Sequence, residues 1–342
     1  LTTLPAVSVI VPLGKHNELL EPVVAAILSL DYPGFEVIMT EGSKGEAESM
    51  LRRYPDGKIT YVKGTCKNPA GLRNLGVAAA RNDLLAFLDS DCIPEPSWLK
   101  ELVIAKETLK VRMVVGATRS ANADSNRWAR VAAKRYAMWF AGATRGSFVA
   151  RIDTKNLLVE KSYLVSLGLF DEKLDSKEDR DLGLRVLRSG DQIGYAPKAV
   201  VRHFDPQSVR ALYRRAVWYA RGMRQFRAKY GVGLFSQNPD PIYHKRYAGE
   251  GNWAMLSIAW FACVAALAWT RWARGTELAI LLLVGIFILV MAFRSLLKSF
   301  AKFLLGRTSW EDFVFDLVTD LGHKVGWVST LPASRGRREG TT

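Results

Sequence analysis

The chain has 342 residues, and 48 Lys+Arg against 33 Asp+Glu give it a net charge of +15. Hydrophobic residues at 49% and charged residues at 24% suit a chain that folds around a sizeable core; they exclude a disordered tail, a collagenous chain and a disulfide miniprotein. Cys66, Cys92 and Cys263 have no CxxC spacing, so neither a disulfide framework nor a structural zinc site is indicated.

In chain order, residues 6–12 (AVSVIVP) form a β-branched run closed by Pro12, which predicts a buried strand. A helix is expected over 19–30, a turn at Tyr32-Pro33-Gly34, a strand over 35–39, a helix over 46–53 and a strand over 59–62. An alanine-rich helix over 71–81, a strand over 84–88 and a helix over 96–108 continue the alternation. Strands alternating with helices at this spacing predict a parallel α/β sheet that binds its ligand beyond the carboxyl ends of the strands. No GxGxxG and no P-loop occurs, which removes the main support for a dinucleotide enzyme or an ordinary NTPase. Residues 1–13 lack the basic start and long apolar core of a secretory signal.

The strand over 84–88 runs directly into Asp89-Ser90-Asp91. With 17 aspartates in the chain a D-x-D arises about once by chance, so its weight comes from its position. Two carboxylates leaving an apolar strand, beside the end of a nucleotide-binding sheet, supply the hard oxygen ligands that Mg²⁺ or Mn²⁺ uses to bridge protein and diphosphate. Their structural alternative is a turn or helix cap before Pro96. Upstream, Lys67–Asn74 opens a helix that carries Arg73, suited to phosphate or base. Downstream lie Gly168–Glu172, then the charged run Lys177–Arg185 containing Glu178-Asp179, then Val200–His203. By itself the Glu178-Asp179-Arg180-Asp181 run reads more readily as a solvated, charge-rich helix start.

In this order the elements resemble an inverting family 2 glycosyltransferase with a GT-A fold, over roughly residues 6–205. The resemblance rests on a V-P strand end, a G-L…R-N helix before D-x-D, a G-x-F-D-E segment and an E-D pair. It implies that Asp89 and Asp91 hold the Mg²⁺ or Mn²⁺ of a nucleotide sugar, with His203 as a further metal ligand. It implies Asp179, assisted by Glu178, as the base that takes the acceptor proton, and Asn156 as a residue facing the acceptor. Pro12, Glu41, Arg73, Asp89, Ser90 and Asp91 are the expected donor-binding set. Glu41 stands where the family has an aspartate pair, and this leaves UDP- and GDP-sugars both open. Like-charge repulsion between Glu178 and Asp179 is expected to raise one of the two carboxyls. A Q-x-x-R-W pattern is absent; Arg214, Arg215 and Trp218 offer a loose echo as phosphate or acceptor contacts, and a processive polymer synthase is not expected.

Beyond residue 205, Val209–Tyr230 carries seven basic residues and no acidic one, interleaved with aromatics. It is expected as an interfacial helix on an anionic membrane surface, with nucleic acid as the disfavoured partner. Charge-free stretches at 253–270 and 278–293 suggest a transmembrane hairpin, and basic flanks would place the catalytic domain and both termini in the cytoplasm. Apolar residues at helical spacing over 296–328 add amphipathic helices, ahead of a basic tail. The expected organisation is therefore a GT-A (Rossmann-like) α/β domain over 1–205, a basic interfacial helix and linker over 206–250, a hairpin over 251–293, and amphipathic helices over 294–342. The expected function is metal-dependent inverting transfer from a nucleotide sugar to the hydroxyl of a lipid-linked saccharide. A polyprenyl- or dolichyl-phosphate sugar synthase and a non-catalytic nucleotide-sugar-binding membrane scaffold are the alternatives, and an oligomer is left open.

Overall fold

The computed structural model describes residues 4–14, 17–43, 47–54, 58–231, 299–306 and 308–328. The expected alternation holds in the first half: β1 (Val7–Pro12), α1 (Leu20–Leu28), β2 (Phe35–Glu41), α2 (Glu48–Leu51), β3 (Ile59–Lys63), α3 (Pro69–Ala79) and β4 (Leu84–Leu88). There follow β5 (Cys92–Pro94), α4 (Trp98–Leu109), β6 (Met113–Ser120), α5 (Arg127–Ala141), β7 (Thr144–Arg145), β8 (Phe148–Val149), β9 (Asn156–Glu160) and α6 (Lys161–Ser166). The chain continues through α7 (Glu178–Arg188), β10 (Ile193–His203), α8 (Val209–Tyr230) and α9 (Trp310–Val328).

These strands form one ten-stranded sheet, ordered β3-β2-β1-β4-β9-β6-β10-β8-β7, with β5 attached to β10. Alternation along the strands makes two hydrophobic layers, because successive side chains point to opposite faces. Val7, Val9 and Val11 of β1 pack with α1 and α4 on one face, while Ile10 packs with α3 on the other. Each such fully buried aliphatic side chain contributes roughly 1.5–3 kcal/mol. Local capping fixes where the helices start. Asn68 accepts from the Gly71 N–H at 3.0 Å with Pro69 following it, Asn126 caps α5, and Ser208 accepts from Ala211 N–H at 3.2 Å to open α8.

The sheet is parallel over β1–β4, as the alternation predicts, and mixed beyond them. β9 inserts antiparallel between β4 and β6. β10 then runs parallel to β6, and its far end turns back against β5 with His203 opposite Cys92. That last pairing brings two segments 110 residues apart in the chain to the rim where β4 ends.

The fold class needs a correction beyond residue 205. Among the described residues no helix is long and apolar enough to cross a membrane. The stretches at 253–270 and 278–293 on which the hairpin was placed lie outside the described residues. This withdraws the two-span arrangement and the cytoplasmic-membrane location deduced from it. The physical reason is visible in the helices that are described. α8 carries seven basic residues, and α9 carries Glu311, Asp312, Asp316 and Asp320. One apolar side of α8 meets protein: Leu212, Ala216, Ala220 and Phe226 are buried, and α9 lies along α8. α9 is also pinned to α5, with Lys134 Nζ 2.8 Å from Asp312 and Arg135 2.9 Å from Asp316. Amphipathicity in α8 is thus spent on a protein contact, whereas an interfacial helix would lay that face in lipid.

Candidate active site

The carboxyl ends of β1, β2 and β4 converge on one rim. Pro12 is buried at the end of β1, and the Gly14 N–H donates to the Ser90 hydroxyl at 3.2 Å, tying the first strand's exit to the D-x-D loop. Glu41 ends β2, is 6% exposed, and accepts from Tyr61 Oη at 2.7 Å and from the Ala47 N–H at 3.1 Å. A buried carboxylate with these partners is part of the wall at that edge of the sheet.

Arg73 is the hinge of the arrangement. It projects from α3, is only 3% exposed, and forks between Asp89 Oδ1 and Glu178 Oε1, each at 2.7 Å. Burial disfavours its charge, but the Asp89 and Glu178 carboxylates outweigh that and hold the guanidinium firmly ionised. The Phe170 ring lies 5.7 Å from it and packs edge-on against Phe87 of β4. Asn74 fixes that segment in turn, donating to the Phe170 carbonyl at 2.9 Å and to Glu172 Oε1 at 2.8 Å. The R-N and G-x-F-D-E motifs are therefore one structural unit, which presses the loop before α7 against the D-x-D strand.

Glu178 opens α7, 5% exposed. Burial is the main cause that pushes its carboxyl up, Arg73 opposes this, and the Asp179 charge adds to it. The expected like-charge effect thus falls on Glu178, second to desolvation. Asp179 is half-buried, with Oδ1 held by the Arg180 N–H at 2.6 Å. Among the described residues it makes no ion pair.

On the other flank, β10 delivers His203. Its Nδ1 lies 3.3 Å from Asp205 Oδ1 and its Nε2 3.6 Å from Asp91 Oδ2. An Nδ1–H donated to Asp205 leaves the Nε2 lone pair turned towards Asp91, the orientation a metal-binding histidine takes from its carboxylate partner. Although burial works against it, His203 holds the Asp205 carboxyl below its ordinary value. Among the described residues no three His, Cys, Asp or Glu side chains gather as a metal centre. The two-donor set of Asp91 and His203 nevertheless fits a divalent cation that would take its other ligands from substrate and water. Asp89, two positions before Asp91, is occupied on one oxygen by Arg73.

Residues 5–220 match the family described as "Glycosyltransferase like family 2". The chain belongs to that family. A pre-mycofactocin glycosyltransferase of Mycobacterium tuberculosis is 27% identical over 219 residues, covering 62% of this chain and 46% of the relative. A probable glycosyltransferase of Bacillus subtilis, YdaM, is 24% identical over 247 residues, covering 68% of this chain and 58% of the relative. The chain thus spans about half the length of the curated relatives it matches. Among solved structures, the mannosyltransferase PcManGT of Pyrobaculum calidifontis in complex with GDP-Man and Mn²⁺ superposes with a TM-score of 0.61 at 20% identity. That superposition covers 94% of this chain and 88% of the other, and supports the GT-A-like layering of the family 2 domain.

The remaining expected site residues divide. Arg215 reaches the site, its NH1 3.9 Å from Asp205. Trp218 stands 39% exposed on the same helix, stacked on Tyr219 at 5.3 Å, while Arg214 points to solvent. Asn156 does not line the site. It is fully buried, accepting from Trp98 Nε1 at 2.7 Å and donating to the Ala117 and Ala199 carbonyls at 2.9 Å each. Its amide joins β9, β6, β10 and α4, and so supports the sheet edge that carries His203.

Three groups near the site escaped sequence reasoning. Asp205 had a faint signal in the spacing His203-x-Asp205. Asp153, buried and joined to Tyr136 and to Lys155 Nζ at 2.5 Å, lies within electrostatic reach of His203 and carried none. Lys177 has a left-handed backbone, φ 77°, and its ammonium sits 3.5 Å above the Tyr219 ring.

Proposed function

We propose that this family 2 chain transfers one sugar from a UDP- or GDP-sugar, with Mg²⁺ or Mn²⁺, to a lipid-linked acceptor, inverting the anomeric centre. The carrying observation is the Asp89–Arg73–Glu178 bridge. One buried guanidinium ties the D-x-D loop to the first turn of α7, the turn that carries Asp179.

In this reading Asp91 and His203, with Asp89 beside them, would hold the metal, which when bound offsets the negative charge of the leaving diphosphate. Asp205 keeps the His203 ring in its orientation. Pro12, Ser90 and Glu41 shape the floor and edge on which the nucleotide lies. Asp179 accepts the proton of the acceptor hydroxyl as its oxygen attacks. A single carboxylate working opposite the leaving group gives inversion. Glu178, buried and committed to Arg73, positions Asp179 and does not compete for the proton.

A lipid-linked acceptor is supported by what flanks the base. Trp218 and Tyr219, 39% and 37% exposed, project from α8 beside Lys177, an apolar aromatic surface next to cations, as a phosphate on a hydrocarbon tail requires. The non-catalytic scaffold is disfavoured by the 3.6 Å approach of His203 to Asp91 and by the Arg73 bridge that ties the D-x-D loop to the turn carrying Asp179.

The test is to incubate the full chain with a panel of UDP- and GDP-sugars, Mg²⁺ or Mn²⁺, and lipid-extract acceptors, and to read the product's anomeric configuration by NMR. Transfer from one donor class with inversion is expected. Retention, or no binding or turnover of any donor, would contradict the proposal.

A further inference from the structure

We infer that Lys177 and Arg215 form an anion seat beside Asp179 that receives the phosphate of the acceptor. This rests on the acceptor-side reading of Asp179 given above and names the chemical class of the acceptor: a molecule with a phosphate or diphosphate next to its attacking hydroxyl, or a phosphate oxygen that itself attacks.

The backbone comes first. A lysine with φ 77° holds a conformation that L-residues adopt at a cost, and such positions persist only where surrounding structure enforces them. Here the enforcement comes from α8. The Ser176 hydroxyl donates to the Trp218 carbonyl at 3.3 Å, and Asp175 exchanges hydrogen bonds with Gln225 at 2.9 and 3.0 Å. α8 approaches so closely that a methyl group on Gly222 would collide with the Ser176 hydroxyl and carbonyl. The segment before the base is thus clamped, and the clamp aims the Lys177 side chain across the Tyr219 ring at 3.5 Å.

The charges around Lys177 are unbalanced. Among the described residues its ammonium makes no hydrogen bond and no ion pair. The charged groups facing it are Asp179, Arg180, Glu178 and Arg215. Glu178 is committed to Arg73, and Arg215 holds Asp205 only at 3.9 Å. Lys177 and Arg215 thus lie within electrostatic reach of each other, and Asp179, which also acts on Lys177, makes no ion pair among the described residues. Burial above all, with Arg180 and Arg215, holds the Lys177 ammonium down to about 8 against the pull of Asp179 and Glu178. A cation held at such a cost over an aromatic ring is complementary to an arriving anion. Arg73 cannot serve this purpose, since both its terminal nitrogens are engaged with carboxylates.

The test is isotope-coded amine acylation of the full chain at about pH 8, read at Lys177 by mass spectrometry, where an ammonium of this acidity reacts readily. The probes are inorganic phosphate, decyl phosphate, decyl glucoside and a nucleoside diphosphate with Mn²⁺. Protection of Lys177 by about fivefold or more with decyl phosphate, and none with decyl glucoside, is expected. Equal protection by inorganic phosphate assigns the seat to the anion alone, and stronger protection by decyl phosphate assigns it to a lipid phosphate; both support the inference. Protection by the nucleoside diphosphate and not by decyl phosphate would move the seat to the leaving group and overturn it, as would no protection by any phosphate. As a second reading, Lys177→Asn tolerates the left-handed backbone and removes the cation. It is expected to lower acceptor kcat/KM by about tenfold with donor KM unchanged, and Lys177→Arg to recover most of it. None of the acylation arms requires turnover, so failure here leaves the glycosyltransferase reading standing, and failure of the donor panel leaves Lys177 protection measurable.

Discussion

The two halves of the site handle charge in opposite ways. At the D-x-D loop Arg73 is buried and divided between Asp89 and Glu178, each at 2.7 Å, so these groups compensate one another. At the start of α7 Lys177 is held in a left-handed backbone over Tyr219 with no ion-pair partner among the described residues, and Asp179 likewise makes no ion pair there. The first arrangement builds a rigid frame, and the second keeps charges available for a substrate. Fixed, compensated groups orient the reacting atoms, while the strained and uncompensated ones recognise and react.

Removing the centre of the compensated half is expected to have the largest effect on stability. Arg73→Met strands two carboxylates, one of them buried, and should cost about 3–5 kcal/mol in urea unfolding, with Arg73→Met/Glu178→Gln recovering a large part. A frame with only peripheral importance would show less than half that cost and no recovery in the pair.

Next comes the clamp between the halves. Gly222→Ala drives α8 away from Ser176 and should cost about 1–3 kcal/mol, together with a raised acceptor KM and an unchanged donor KM. Equal loss of both would mean that α8 supports the whole site and has no special tie to its acceptor side.

The smallest effect tests the uncompensated half, and its sign is opposite. The folded-state pKa of Lys177, about 8, is depressed below the roughly 10.4 of an unfolded lysine. The stability this group confers is therefore present above the unfolded value and lost as pH falls through about 8. At pH 7 the fold carries the cost of the crowded ammonium. Lys177→Asn should accordingly stabilise the protein by about 1 kcal/mol near neutrality, a gain that fades between about pH 8 and 10.4. A variant destabilised at every pH would show that the ammonium is structural.

Much of this was legible in the sequence, and the reasons differ by residue. The β1–β4 half follows from apolar runs and turn residues that lie close together in the chain. The order of the D-x-D, R-N, G-x-F-D-E and E-D elements pointed to the family. β6, β9 and β10 were less readable, because their pairings are long-range and partly antiparallel and leave no local periodicity. Arg73 was seen as a cation suited to phosphate, but its commitment to Asp89 and Glu178 depends on an approach of two segments about 100 residues apart. Asn156 illustrates the converse: its place in the motif order suggested a site-facing role, whereas its amide is spent on Trp98 and two carbonyls. Lys177 was invisible, since nothing in the residue type announces a positive φ. The amphipathic pattern of α8 was real, but a pattern does not say what covers the apolar face, and here α9 and the domain cover it.

The central claim, that Asp179 is the base on the uncompensated side, is tested most directly by Asp179→Asn in a single-turnover transfer assay, with donor binding measured on the same preparation. The account predicts a fall in transfer of about 10²–10⁴-fold with donor affinity unchanged. Near-full turnover in the variant would contradict it.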